Sequence, residues 1–182
     1  MRSSLSRLRD GAVKGLLGGA LAGASLVAHA VNELDVKAAL LVNLMSFAEW
    51  PAHGVPPASS SLVLCVGGEQ PLRAPLATLE GRLIKQWPLH VQTLTSGEPT
   101  ARCHALLVDD ALLTARPALK QELRTLPLLS FSDDGQASDA AIGIRLDVSN
   151  GRVVFAVDLA ATRANGMTLS SRLLRLAREV RE

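Results

Sequence analysis

Apolar positions along this chain of 182 residues change their spacing several times, and the changes mark out elements. Between residues 32 and 50, Val36, Leu40, Leu44 and Phe47 recur at helical spacing, with Ala39 and Leu41 beside them. The spacing predicts a helix whose buried stripe these residues form. Asn32 is placed to cap it and Asp35 suits its first turn. Pro51 ends it, because the residue before a proline resists helical geometry. Residues 61–68, SLVLCVGG, are a short apolar run stopped by two glycines, which suits a buried strand. A short helix is expected over 71–81. An extended segment follows over 82–94, where Pro88 points to an edge or a bend. Residues 104–110 read as a second buried strand. Residues 111–126 are helix-like with a break at Pro117, and 127–133 form a third short strand.

The period then changes. Two strand-like runs within residues 140–159 flank Ser149-Asn150-Gly151, and Asn-Gly between such runs is a strong hairpin signal. Residues 160–180 end in a stripe of Leu169, Leu173, Leu174, Leu176 and Val180 with arginines opposite. This predicts a long amphipathic C-terminal helix, separated by Gly166 from a shorter one. Strand and helix alternate in the first half. The expected class is therefore α/β, a Rossmann-like three-layer sandwich with a mostly parallel sheet, an antiparallel hairpin and the terminal helix.

The first 30 residues stand apart. Arg2, Arg7, Arg9 and Lys14 precede an uncharged run of small and apolar residues, and Ala28-His29-Ala30 has the small-x-small form of a cleavage site. This predicts a cleaved secretory signal peptide over 1–30. The apolar run is shorter than the roughly 20 residues of a membrane span. Residues 31–182 then form one domain of ordinary size, exported to the periplasm, with no membrane insertion expected. The leader takes four of the 19 basic residues and one of the 17 acidic ones, leaving 15 and 16, so the basic balance belongs to the leader. No basic patch interleaved with aromatics remains, and nucleic-acid binding has no support.

The apolar helix KAALLVNLMSFAEWP (37–51), the strand LVLCVGG (62–68), the run CHALLVDD (103–110), LLSFSDDG (128–135) and the closing stretch from Ile142 to Ala177 follow one another in an order that resembles the YfiR-like family of periplasmic proteins. The resemblance covers about residues 34–180. It implies a Rossmann-like fold, dimerisation to a homodimer, and a regulator rather than an enzyme. Members of the best-known kind repress an inner-membrane diguanylate cyclase by binding its periplasmic sensor region. Relief under envelope or redox stress raises cyclic di-GMP and favours biofilm. Some members carry a second cysteine pair in the later half, whereas this chain has Cys65 and Cys103 alone.

In an oxidising compartment, two cysteines in an exported domain are most simply read as one disulfide, Cys65–Cys103. Geometry complicates that reading. Cys65 lies near the end of its strand and Cys103 before the start of another. Parallel neighbours in plain register would hold them about 10 Å apart, from three residues at roughly 3.3 Å. A bridge needs Cα atoms within about 7 Å. Either the register is offset or the bridge is strained, and a strained bridge is the more easily reduced.

Other chemistries are weaker. Adjacent residues on a strand point to opposite faces, so Cys103 and His104 do not make a nucleophile-base dyad. His104 reads as a packed or partly exposed strand-edge residue. His53, His90 and His104 are scattered, with no zinc spacing, so no metal is expected. Asp109 and Asp110 resemble a phospho-acceptor pair, but export argues against that, and Asp110 suits an N-cap. Asp133-Asp134-Gly135 is a turn signature. Thr168, Ser170 and Ser171 start the last helix and lack a nucleophile elbow, so no catalytic residue is assigned. Gly67-Gly68 is too little for a dinucleotide site, and no cofactor is expected. Three functions remain in view: a repressor of a membrane signalling enzyme, a periplasmic small-ligand-binding accessory of another receptor or kinase, and, least supported, a hydrolase. The partner-binding residues are not fixed; the loop from Val55 to Ser60 and the hairpin ends are candidates.

Overall fold

The computed structural model describes residues 32–134 and 141–182. The leader expected over 1–30 and the turn residue Gly135 lie outside the described residues. Strands β2 (Leu62–Gly67), β4 (Trp87–Leu94), β5 (Ala105–Leu107), β6 (Leu129–Ser132), β7 (Ile144–Ser149) and β8 (Arg152–Asp158) form one sheet with short edge strands β3 (Leu83–Ile84) and β10 (Glu179–Arg181). The order across it is β10-β8-β7-β6-β5-β2-β4-β3. Pairs β4-β2, β2-β5, β5-β6, β6-β7 and β8-β10 are parallel, and β3-β4 and β7-β8 are antiparallel. The coarse expectation of a mixed α/β fold on a mostly parallel sheet holds.

Alternating side chains of the central strands bury on both faces. Leu62, Leu64, Val66, Ala105, Leu107 and Phe131 join one core with Leu41 and Met45 of α1 (Glu33–Met45), Leu72 and Leu76 at α2 (Arg73–Ala77), and Leu173 of α6 (Ser171–Leu176). Cys65, Leu106 and Val108 join the other, with Leu112 and Leu113 of α3 (Asp110–Ala115) and Leu119 and Leu123 of α4 (Ala118–Thr125). The break between α3 and α4 falls at Pro117, as its sequence predicts. Pro88 is tolerated because it precedes the β2 pairing, which begins at Leu89, and faces only Leu83 of β3. At the hairpin tip, Asn150 has φ 52° and Gly151 φ 70°, the left-handed pair that the Asn-Gly signal demands.

Three expectations need correction. The first helix ends at Met45, well before Pro51, and Ala48–Glu49 forms β1, which pairs antiparallel with β9 (Thr168–Leu169). Its buried face is Lys37, Ala38, Leu41, Val42, Leu44 and Met45, while Val36 is exposed. The helix is apolar on most sides, so periodicity alone leaves its face open. The terminal helix is also shorter than expected. It stops at Leu176, and Val180 belongs to strand β10 instead. Only Leu173 of α6 is fully buried, and Leu176 is 66% exposed. Finally, the cap of α3 is Asp109, whose Oδ1 accepts from Leu112 N–H at 2.7 Å; Asp110 is the first helical residue.

Candidate functional site: the disulfide and the two ends of the sheet

Strand β2 is the topological centre, since the chain leaves it for β4 on one side and returns at β5 on the other. Cys65 is fully buried on β2, facing the second core. Its register partners are Gln92 on β4 and Leu106 on β5. The register against β5 is thus the plain one, with Cys103 three residues short of Leu106. Even so, Cys65 and Cys103 form a disulfide with Cα atoms 5.7 Å apart, inside the ordinary range. The 10 Å expectation assumes that Cys103 continues the line of β5. It does not, because β5 begins at Ala105 and Cys103 closes a 3-10 turn over Thr100–Arg102. Neither the offset register nor the strain expected from the sequence is needed.

The turn that presents Cys103 is firmly held. Buried Thr100 donates its hydroxyl to Glu122 of α4, and Arg116 bridges Glu122 Oε1 at 2.6 Å and the Glu98 carbonyl at 2.6 Å. Burial pushes the Glu122 carboxyl up, but the Thr100 hydroxyl and the Arg116 guanidinium outweigh it and hold it below its ordinary value. Gln92 Nε2 donates to Cys65 Sγ at 3.2 Å. Sequence reasoning missed Gln92, which only the β2-β4 register brings opposite Cys65.

Cys103 lines a cavity of about 150 Å³ at the amino ends of β5 and β6, with His53, Val55, Pro56, Thr100 and His104 around it. The candidate contact loop therefore forms one wall beside the disulfide. His104 is half-buried and is not a base for Cys103. Its Nδ1 accepts the Val63 N–H at 3.0 Å, and its carbonyl accepts the Trp50 indole N–H at 2.9 Å. Burial pulls its pKa below the ordinary histidine value, so the ring is neutral.

At the opposite, carboxyl end lies an open crevice of about 620 Å³ between the β2, β4 and β5 ends. Leu94, Leu112 and Ala115 line it, with Arg73, Glu69 and Asp109 among its polar residues. Arg73 Nη1 donates to Thr93 Oγ1 at 2.7 Å and its Nη2 donates to the Gly68 carbonyl. Asp109 Oδ2 accepts the Glu69 N–H at 2.9 Å, which spends the carboxylate on binding the two strand ends together. Gly68 has φ +78°, and a Cβ there would fall on the Asp109 carboxylate. Asp133 at the end of β6 pairs with Lys37 Nζ at 2.8 Å. Thus the two aspartate pairs of the sequence serve as cap, clamp and ion-pair partner. Ser170 caps α6 through Leu173 N–H, as its position predicts. Among the described residues, no group of three or more His, Cys, Asp or Glu could hold a metal ion.

No helix among the described residues is long and apolar enough to cross a membrane. No curated protein matches the chain. A family model described as YfiR/HmsC-like matches residues 34–178, from the first turn of α1 to the residue before β10, and so takes in the disulfide and both sheet ends: the chain belongs to the YfiR/HmsC-like family.

Proposed function

We propose that this protein is a periplasmic regulator that binds the periplasmic region of an inner-membrane diguanylate cyclase and holds it inactive, so lowering cytoplasmic cyclic di-GMP. The observation that carries this reading is the family match over residues 34–178, since YfiR-like proteins are periplasmic regulators. The leader-like first 30 residues and the Cys65–Cys103 bridge both suit an oxidising compartment. A regulator needs only differential affinity for two states of its partner; about 1–3 kcal/mol shifts activity about 5- to 150-fold. The loop that walls the cavity beside Cys103 and the hairpin tip are the proposed contact regions. The chain acts in this reading without catalysis of its own.

The test is cytoplasmic cyclic di-GMP in the host with and without the gene. Deletion should raise it, and the full-length protein should restore it while a form lacking residues 1–30 should not. An unchanged level under several growth conditions would count against a cyclase partner. A second reading, an accessory protein that binds a small ligand, is favoured by the crevice at the carboxyl ends of β2 and β5, where open α/β sheets bind ligands. That reading would gain if the cyclase result is negative.

A further inference from the structure

One edge of the main sheet is left open. β10 pairs with β8 on one side and ends the sheet on the other, and all three of its residues are exposed. Among the described residues, six large apolar side chains are exposed, and two of them, Leu176 at 66% and Val180 at 38%, lie at this edge. The opposite edge strand, β3, has only two residues. Exposed edges are normally guarded by charge, and β10 carries Glu179 and Arg181, held together at 2.6 Å.

The charges do more than guard. Residues 178–182 read Arg-Glu-Val-Arg-Glu. Place a second copy antiparallel about a two-fold axis at Val180. Glu179 then lies opposite the second copy's Arg181, and Arg178 opposite the second copy's Glu182, with each pair repeated by symmetry. Val180 meets its own counterpart on the face where Val157, its register partner in β8, enters the core. A parallel approach in the same register would set Glu on Glu and Arg on Arg. Opposite charges directly across a strand pair stabilise it and like charges destabilise it. The edge therefore discourages strands of unrelated sequence and accepts itself in one orientation, as an isologous interface requires.

From this pattern we infer that β10 is a self-association surface, joining two copies of this chain edge to edge through an antiparallel β10-β10 pair centred on Val180. The inference rests on the expectation that the chain forms a homodimer, and it names the surface. It is independent of which membrane protein the chain regulates.

Sedimentation equilibrium of the protein as the host produces it, over a concentration series, tests both layers. The parent should sediment as a dimer. E179R and R181E each set like charges across the strand pair, and each should weaken self-association about tenfold or more. An equimolar mixture of the two should recover the parental affinity, because Arg meets Glu again in the mixed pair. The doubly substituted E179R/R181E protein should also dimerise alone, which separates a lost interface from a lost fold. A parent that stays monomeric would overturn the homodimer expectation and the surface together. Singles that dimerise as tightly as the parent, or a mixture that fails to recover, would overturn the surface alone.

Discussion

His104 shows how much one side chain beside the disulfide depends on its protonation state. Its Nδ1 accepts a hydrogen bond from Val63 N–H, which an imidazolium cannot do. Burial lowers its pKa from the ordinary value near 6.5. The unfolded chain therefore binds the proton at a higher pH than the folded one. The stability tied to the neutral ring is fully present above the unfolded value and is lost as pH falls through it towards the folded value. The melting temperature should fall between about pH 7.5 and 5.5, a window above the ordinary carboxylate range. His104→Gln should flatten that fall, whereas His53→Gln, in the same cavity, should leave its slope as it is. Equal slopes in the parent and His104→Gln would remove His104 as the group responsible. Adjacency on a strand was enough to exclude a Cys103-His104 dyad from the sequence. The bond to Val63 was not legible there, since it spans 41 residues and depends on the β2-β5 pairing.

Elements with a unique local signal were legible. The Asn-Gly tip, the Pro117 break and the Ser170 cap each follow from one residue's backbone or side-chain chemistry. Elements that only tertiary packing decides were not. On α1, Lys37 lies in the buried face because Asp133 and Glu33 neutralise it, at 2.8 and 3.0 Å. No periodicity signals that arrangement. At the C-terminal end, the leucine stripe continues past the point where the chain leaves the helix to pair with β8. Sequence treats Leu173 and Leu176 alike, but packing separates them: Leu173 is fully buried and Leu176 is mostly exposed. Leu173→Ala should cost about 2–5 kcal/mol by urea denaturation. Leu176→Ala should stay within about 0.5 kcal/mol. Similar losses at both positions would mean that the helix extends and packs as the stripe alone suggests.

For the whole molecule, the disulfide is the strongest single constraint that the sequence made visible. Two cysteines in an exported chain named the pair, while the sheet decided how it closes. The bridge ties the central strand β2 to the turn entering β5 across a separation of 38 residues. Thr100, Glu122 and Arg116 anchor that same turn to α4 independently. The covalent link therefore acts mostly on the unfolded chain, by shortening its free loops, rather than by forcing a contact that the folded chain resists. The chain-entropy relation puts that contribution at about 4 kcal/mol, a large part of the roughly 5–15 kcal/mol of a typical domain. Cys65→Ala/Cys103→Ala should accordingly lower the unfolding free energy by about that amount, with a cooperative transition retained because both cores are otherwise intact. The parent should lose a similar amount when unfolded in excess reductant, while the double variant should not respond to reductant at all. A double variant as stable as the oxidised parent would show that the α4 anchors alone hold the turn and that the bridge adds little to the fold. A loss well above the entropic figure would show instead that the bridge shapes the folded state, and that opening it rearranges the cavity wall formed by the loop after His53.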